Sequence, residues 1–208
     1  MIKEEFIDSL KNYTVDSEQL PTMWNEVEKN YSKPDRHYHN LTHLNSMLTE
    51  LKLHKDKFNN WDTIIFAIVY HDLVYSTLKS NNEEQSAEVA IKRLTKIAFP
   101  EKSITFCGQL ILATKKHEPS DPEINLFTDA DLSILGSDPE TYKAYSKQIR
   151  LEYSIYPDMM YNPGRKKVLT HFLKMDNIYK TKEFSNRYEQ NAKTNMQTEL
   201  NSLTNGTI

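Results

Sequence analysis

Glycine and cysteine are both scarce in this 208-residue sequence, which has four glycines and a single cysteine, Cys107. One cysteine cannot form a disulfide within the chain, and it cannot build a cysteine-rich zinc finger. The glycines, at positions 108, 136, 164 and 206, are too few and too far apart for a GxGxxG or a GxxxxGK loop. The sequence therefore lacks both the dinucleotide-binding fingerprint and the phosphate-binding P-loop.

Long apolar runs and an excess of positive charge are also missing. The longest strictly apolar run, residues 64–70, has seven residues, whereas a membrane helix needs about 20. No basic stretch followed by an apolar stretch opens the sequence, and the formal net charge is −3. We therefore expect a cytoplasmic protein that binds neither a membrane nor nucleic acid.

Apolar residues recur at helical spacing in segment after segment, and strand-like alternation is almost absent. This pattern predicts an all-α fold of about nine to ten helices, formed by a single domain that spans residues 1–208. The predicted helices are 3–12, 17–31, one that begins near 41, 61–77, 83–98, 101–116, 128–136, 138–155, 163–176 and 184–203. The helices within 138–203 are expected to pack on the preceding part of the chain.

The histidines are unevenly distributed: three lie within residues 36–43, and His71 is followed at once by Asp72. The apolar stripe of Ile64 and Ile68 continues through His71, which predicts that this imidazole points from the buried face of a helix. Asp72 would then be half-buried, and a buried carboxylate is costly unless it is paired or bound to a metal. The alternative is an imidazole hydrogen-bonded within the core, with Asp72 turned to solvent.

Two further pairs of residues can complete a metal site. His39 and His43 are four positions apart and share a face if the third helix extends back that far. Asp129 and Asp131 lie in the predicted helix 128–136, where Asp129 suits a helix N-terminus and Asp131 lies one turn before apolar residues. Two imidazoles and two carboxylates suit one divalent ion, which would be Mn, Fe, Co, Ni, Zn or Mg. Such an ion generates hydroxide from water at neutral pH.

Several segments together resemble the HD superfamily of metal-dependent phosphohydrolases, in particular its subgroup of small bacterial hydrolases. The segments are RHYHNLTHL (36–44), HDLVY (71–75), NEEQSA (82–87), LATKKH (112–117), DADLSILG (129–136), YKAY (142–145), RLEY (150–153) and NAKTNMQTEL (191–200). The resemblance covers about residues 20–203. It implies a helical HD architecture with a metal-binding core at about residues 36–136, and the ligands His43, His71, Asp72 and Asp131.

The sequence favours His43 over His39 as the metal ligand of the first motif. Leu44, Met47 and Leu48 follow His43 at helical spacing, which places it on the buried face of the helix. His39 lies at or before the start of that helix, beside Arg36, and we expect it to be catalytic rather than a ligand.

Phosphate binding needs cations, and only five of the 26 basic residues are arginines. Arg36 lies within the first motif, and we expect it to bind the substrate and to stabilise the charge that develops during hydrolysis. Arg150 and Tyr153 are candidates for substrate binding, with a surface helix pair as the alternative for Arg150. Arg165 follows a Pro-Gly pair, and a structural role is expected for it.

Four further residues are candidates for catalysis or substrate binding. Lys115 and Lys116 precede His117 and are expected to bind substrate, with a solvated helix end as the alternative. His117 is expected to donate or accept a proton, although the dipole of a helix C-terminus also favours a histidine there. Glu83 opens a helix, where the dipole alone favours an acid, and the resemblance implies a role in proton transfer.

The leading hypothesis is a metal-dependent phosphohydrolase in which metal-activated water attacks phosphorus of a small, nucleotide-like phosphate ester. The first alternative is a non-enzymatic or vestigial metal-binding sensor or interaction module. The second is an HD-type di-iron oxygenase, which needs further histidines between the His-Asp pair and the last aspartate. Only His117 lies in that interval. The sequence leaves open the substrate, the native metal and the oligomeric state.

Overall fold

The computed structural model describes residues 1–13 and 19–205, and within them the chain is all-α, as predicted. The ten α-helices of this part are α1 (Ile2–Lys11), α2 (Gln19–Tyr31), α3 (Leu41–Lys52), α4 (Trp61–Tyr70), α5 (Asn82–Lys96), α6 (Glu101–Ala113), α7 (Pro122–Asp131), α8 (Pro139–Glu152), α9 (Asp158–Leu173) and α10 (Lys182–Asn205). Two 3-10 turns, Lys55–Lys57 and Leu132–Gly136, accompany them. The first two residues of the predicted helix 17–31 lie outside the described residues.

The chain divides into two compact units, of which unit 1 ends at Thr128 and unit 2 begins at Asp129. The division falls within α7, so that this single helix contributes residues to both units. The expectation of one domain over residues 1–208 stays a prediction.

Helix α4 forms the centre of unit 1. Its residues from Thr63 to Tyr70 are all buried, and its first turn is capped by Asn60, whose side chain accepts a hydrogen bond from the Thr63 amide at 3.0 Å. The helix ends at Tyr70 and not at the predicted residue 77. A helix at a protein surface has one apolar face, and its remaining positions are polar and exposed. Because every position of α4 from 63 to 70 is buried, other helices of unit 1 surround it.

The early end of α4 has a local cause in side chains that bond the backbone beyond it. The Tyr31 hydroxyl donates to the Val69 carbonyl at 3.0 Å and accepts from the Asp72 amide at 3.2 Å. Ser86 accepts from the Val74 amide at 3.1 Å. Because these bonds replace those of a continuing helix, His71 and Asp72 lie in a turn held from outside α4.

Helix α7 begins six residues earlier than the predicted helix 128–136. Asp121 accepts a hydrogen bond from the Glu123 amide at 2.9 Å, and Pro122 is the first helical residue. An acidic N-cap followed by proline is a strong start signal for a helix. The consequence is that Asp129 lies near the end of α7, so the expectation that it occupies a helix N-terminus is wrong.

Helix α9 also begins earlier than predicted, at Asp158 and not at 163, and it contains Pro163 in its interior. The sequence prediction treated this proline as a boundary. Its ring forfeits one backbone hydrogen bond of the helix, in a stretch whose side chains at Met159 and Met160 are 85% and 62% exposed.

In unit 2, α10 packs closely on the 3-10 turn Leu132–Gly136. A Cβ atom added to Gly136 would lie 2.5 Å from the Tyr188 Cβ and 2.6 Å from its carbonyl oxygen. The Asn195 amide donates to the carbonyls of Leu135 and Ser137 at 3.0 and 2.9 Å. Glycine is therefore required at 136 by the close approach of the two backbones.

Among the described residues, no helix combines the length and the apolar character that crossing a lipid bilayer requires.

Candidate metal centre

Two histidine side chains of unit 1 meet in its interior. His43, in the first turn of α3, is 4% exposed, and His71, which follows the last residue of α4, is 1% exposed. Their Nε2 atoms lie 3.2 Å apart. His43 lies on the buried side of α3, as predicted. His71 is buried, as predicted, but it follows the last residue of α4 and is not part of that helix.

The position of His43 follows from the start of α3. Asn40 caps the helix by accepting a hydrogen bond from the Thr42 amide at 2.8 Å, which starts the helix at Leu41 and puts His43 in its first turn. The ring of Tyr38 lies 4.9 Å from that of His43, measured between centroids, and limits its rotation.

The orientation of His71 is set by a backbone bond. Its Nδ1 lies 2.9 Å from the Ile68 carbonyl oxygen, and because a carbonyl can only accept, Nδ1 carries a proton. In a neutral ring Nε2 is then an acceptor, and it faces the interior of the cluster. Histidines that bind metals are commonly oriented by this kind of bond from the other ring nitrogen.

Asp72 lies on the outer side of the two imidazoles. Its Oδ2 is 3.1 Å from the His71 Nε2 and 3.9 Å from the His39 Nε2, and its side chain is 15% exposed. The His71 Nε2 and the Asp72 Oδ2 are thus two acceptor atoms that face each other, and a proton or a metal cation between them would offset their repulsion.

Asp131 is the last residue of α7. It follows Phe127 by four positions on that helix, and the Phe127 ring packs edge-on against the His71 ring at 6.3 Å between centroids. Among the described residues, His43, His71 and Asp131 form a group of side chains that can hold a metal ion. Asp72 is outside this group, and its role as a fourth ligand stays a prediction.

Asp129 has a different position from the one that the sequence indicates. Its side chain is wholly buried and accepts hydrogen bonds from the amides of Lys180 and Thr181, at 3.0 and 2.8 Å, and from the Thr181 hydroxyl at 2.7 Å. Its oxygens are therefore occupied by the segment that precedes α10, and a structural role follows.

His39 precedes α3 and is not part of it. Its ring lies 4.4 Å from the Tyr75 ring and 5.9 Å from the His43 ring, between centroids, and its side chain is 21% exposed. It is therefore beside the imidazole cluster and more accessible than His43 or His71. This arrangement supports a role in proton transfer, which stays a prediction.

Arg36 is buried between two tyrosine rings and bonds the backbone on both sides of the cluster. Its guanidinium lies 4.7 Å from the Tyr31 ring centre and 5.2 Å from that of Tyr75. It donates to the carbonyls of His39 and Leu73 at 3.0 and 2.9 Å, and the side chain is 6% exposed. At least two of its donors therefore bond the segments that carry His39 and Asp72. Arg36 thus has a structural role, and its expected contact with phosphate stays a prediction.

The candidates near the end of α6 are engaged with other side chains. Lys115 donates to Glu84 and to the Ser80 carbonyl at 2.5 and 2.6 Å, and it lies 3.7 Å from Glu83. Hydrogen bonding to Glu84 raises the pKa of Lys115, with burial acting in the opposite sense. Lys115 and Glu83 thus form an ion-pair cluster, and substrate binding by Lys115 would have to compete with it.

Lys116 and His117 follow α6 on a more open surface. Lys116 is 72% exposed and lies 4.0 Å from Glu118, an arrangement typical of a solvated ion pair. His117 adopts a left-handed backbone conformation, with φ of 52°, and its amide donates to the Ala113 carbonyl at 3.0 Å. A left-handed non-glycine residue is uncommon and is worth testing for function.

Arg150 closes the end of α8 in unit 2. It donates to the carbonyls of Tyr153 and Tyr156, at 3.1 and 3.0 Å, and to Asp158 at 2.9 Å. These contacts favour the structural alternative for Arg150. Tyr153 itself is half-buried, and its ring lies 5.8 Å from the Tyr161 ring, between centroids, at an angle of 52°.

Arg165 has the structural role that its Pro-Gly context predicts. It is 8% exposed and makes a two-pronged ion pair with Glu199 at 2.7 and 2.9 Å. Burial raises the pKa of Glu199, but hydrogen bonds from Arg165 and Tyr142 outweigh it, so that the net shift is downward.

Sequence reasoning missed Lys180 and Tyr31. Tyr31 bonds the turn that carries Asp72, and Lys180 places a buried amino group 3.4 Å from Asp129. No local pattern marks either residue, because each acts on a segment about 40 to 50 positions away in the chain.

Comparisons of the chain with protein-family models, with curated proteins and with solved structures find no match. The likeness to the HD superfamily therefore rests on the sequence motifs, and the functional argument rests on the geometry of the side chains.

Proposed function

We propose that this chain is a metal-dependent phosphohydrolase of the HD type that acts on a small, nucleotide-like phosphate ester. The observation that carries the proposal is the 3.2 Å approach of the His43 and His71 Nε2 atoms, on two almost fully buried side chains. Two imidazoles that meet in an apolar interior, with carboxylates at hand, are a donor set for a divalent ion.

In this proposal His43, His71 and Asp131 hold the ion, and a side-chain rotation brings Asp72 to it as a fourth ligand. When bound, such an ion polarises a phosphoryl group and increases the acidity of water. The donor set of nitrogen and oxygen atoms fits Mn, Fe, Co, Ni, Zn or Mg.

In this proposal, side chains of the protein carry out the remaining steps of the reaction. His39, beside Asp72 and half-buried against Tyr75, would accept a proton from the attacking water and return it to the leaving oxygen. Arg36 keeps the segments of His39 and Asp72 in fixed positions, which limits the loss of entropy on reaching the transition state.

A second candidate function is a metal-binding module without turnover. One observation favours it: three of the four cations expected to bind phosphate, Arg36, Lys115 and Arg150, are engaged with protein groups. A site without an available cation would bind a metal but stabilise poorly the charge of a phosphoryl transition state.

The test has a binding arm and an activity arm. Calorimetric titration of metal-free protein with Mn²⁺ should give one site per chain, which His43→Asn and His71→Asn abolish. His171→Asn, on the exposed surface of α9, is the matched control and should bind as the parent protein does. Failure of the parent protein to bind Mn²⁺, Ni²⁺ or Zn²⁺ would overturn both candidates.

The activity arm measures phosphate release from a panel of nucleotides and simple phosphate esters, with and without the metal. Release that depends on the metal and disappears in His43→Asn supports the phosphohydrolase. A stoichiometric metal without release from any substrate supports the second candidate instead.

A further inference from the structure

Tyr75 lies in the turn that follows α4, and the backbone on both sides of it is held by side chains. Ser86 accepts a hydrogen bond from the Val74 amide at 3.1 Å and donates one to the Val74 carbonyl at 3.3 Å. Asn82 likewise accepts from the Ser76 amide at 3.1 Å and donates to the Ser76 carbonyl at 3.0 Å. Because both neighbours of Tyr75 are bonded through their amide and their carbonyl, the turn has little freedom to change its shape.

The ring of Tyr75 lies against the imidazole of His39. The two ring centroids are 4.4 Å apart, and the ring planes are inclined by 32°. The Tyr38 ring approaches the same imidazole nearly at a right angle, 82°, with the centroids 5.0 Å apart. Contacts with two rings of different orientation restrict the rotation of the His39 side chain more than either contact alone.

Arg36 contacts both members of this ring pair. Its guanidinium lies 5.2 Å from the Tyr75 ring centre, and it donates a hydrogen bond to the His39 carbonyl at 3.0 Å. One buried side chain thus bonds the backbone of the histidine and packs on the tyrosine ring that faces it. Within this group, the Tyr75 ring makes the direct contact with the imidazole.

The imidazole that these contacts hold lies beside Asp72. The His39 Nε2 is 3.9 Å from the Asp72 Oδ2. Proton transfer requires heavy atoms to come within about 2.6–3.2 Å of each other, so the orientation of the ring decides whether His39 can take part. An imidazole that rotated freely between rotamers would occupy the required orientation for only part of the time.

We propose that Tyr75 is a positioning residue whose ring holds the His39 imidazole beside Asp72, in the orientation that proton transfer requires. The inference rests on the proposed function and deepens it, because it assigns a residue to the orientation that His39 needs. Tyr75 exchanges no proton in this role. It acts through the face of its ring, so the aromatic ring is required and the hydroxyl group is not.

The first experiment measures phosphate release by the metal-loaded full chain. Tyr75→Leu should lower kcat by roughly 10- to 100-fold, the scale of a misplaced catalytic group, and should leave the Mn²⁺ stoichiometry and KM unchanged. Tyr75→Phe keeps the ring and should keep the parent kcat. Tyr13→Leu is the matched control with an unchanged kcat, because Tyr13 is also half-buried in unit 1 but packs on Phe99, at 4.8 Å between centroids.

A double variant separates positioning from a general loss of structure. If Tyr75 acts through His39, Tyr75→Leu should lower the rate little further in the His39→Gln background, because no imidazole remains to be positioned. Equal losses in the two backgrounds would overturn the inference, and so would a loss in Tyr75→Phe as large as that in Tyr75→Leu. A parent protein without metal-dependent phosphate release would instead overturn the proposed function, and the inference with it.

A spectroscopic measurement needs neither turnover nor a folded Tyr75→Leu variant. Protons above the face of an aromatic ring resonate upfield of their usual positions. The imidazole protons of His39, identified as those that His39→Gln removes, should therefore be shifted upfield in the Zn²⁺-loaded parent protein and in Tyr75→Phe. Resonances of His39 at the positions of a free histidine would overturn the inference.

Discussion

Asp129 and Asp131 are two positions apart in the chain, and replacing each with asparagine should have opposite consequences. In a helix, residues at i and i+2 do not share a face, so the two carboxylates point to different sides of α7. We expect Asp129→Asn to lower stability while keeping metal binding. Asp131→Asn should abolish metal binding and leave the metal-free protein about as stable as its parent.

The magnitude for Asp129→Asn follows from its bonds. Its carboxylate accepts from two backbone amides and one hydroxyl. A hydrogen bond to a charged group contributes about 2 kcal/mol and a neutral one about 1 kcal/mol, so three such bonds lose about 3 kcal/mol together. The amide also introduces a donor that faces the donors of Lys180, which adds to the cost. For Asp131→Asn, which is only half-buried, we expect a change within about 1 kcal/mol in the metal-free protein.

Urea unfolding at pH 7, followed by circular dichroism with EDTA and with Mn²⁺, measures both effects. At a free metal concentration of 100 times the dissociation constant, binding to the folded state alone adds about 2.7 kcal/mol. The parent protein and Asp129→Asn should both gain this amount, and Asp131→Asn should gain none. The reverse pattern, with metal lost in Asp129→Asn and retained in Asp131→Asn, would refute the assignment of the two aspartates.

Three further predictions concern stability and metal affinity. Gly136→Ala should lower the free energy of unfolding by about 2 kcal/mol or more, because the new Cβ would lie 2.5 Å from the Tyr188 Cβ. The control Gly108→Ala, whose Cβ would lie 3.5 Å from Ile91, should be neutral or stabilising. Equal effects of the two substitutions in urea unfolding would contradict this account. Ala98→Gly should raise the free energy of unfolding by about 0.5–1 kcal/mol, since Ala98 has a φ of 55°, and a loss of stability would show that this strain is absent. Arg36→Ala should weaken Mn²⁺ binding roughly 10-fold by releasing the backbone that carries His39 and Asp72, and an unchanged affinity would limit Arg36 to substrate contact.

The imidazole pair was predictable from local patterns. The helical spacing of apolar residues along α3 placed His43 on the inner face of that helix. The apolar stripe of Ile64 and Ile68 placed His71 in the interior, although His71 lies just past the end of α4. The periodicity does not show that these two side chains, 28 positions apart in the chain, lie close together. That expectation came from the motif resemblance.

The role of Asp129 was not predictable in the same way. The start signal at Asp121 and Pro122 was present in the sequence, and using it would have moved Asp129 from the start of a helix to its end. Its partners, the amides of Lys180 and Thr181, follow from the packing of distant segments, which local spacing does not encode.

The expectations for the arginines failed to include their backbone contacts. A guanidinium has five donors, and the sequence cannot tell whether these meet a phosphate or the chain's own carbonyls. Arg36 and Arg150 both bond carbonyl groups of nearby turns, which are invisible until the turns are placed.

The contact of α10 with the turn at 132–136 also bears on how unit 2 reaches its native state. Asn195 bonds Leu135 and Ser137 across 60 and 58 positions, and the Tyr188 backbone fits against Gly136 without a side chain between them. Closing so long a loop costs entropy that only the completed contact recovers. During synthesis on the ribosome, the turn at Gly136 therefore cannot make this contact until nearly all of unit 2 has emerged. Until α10 packs on the turn, its apolar surface stays exposed to chaperones and proteases.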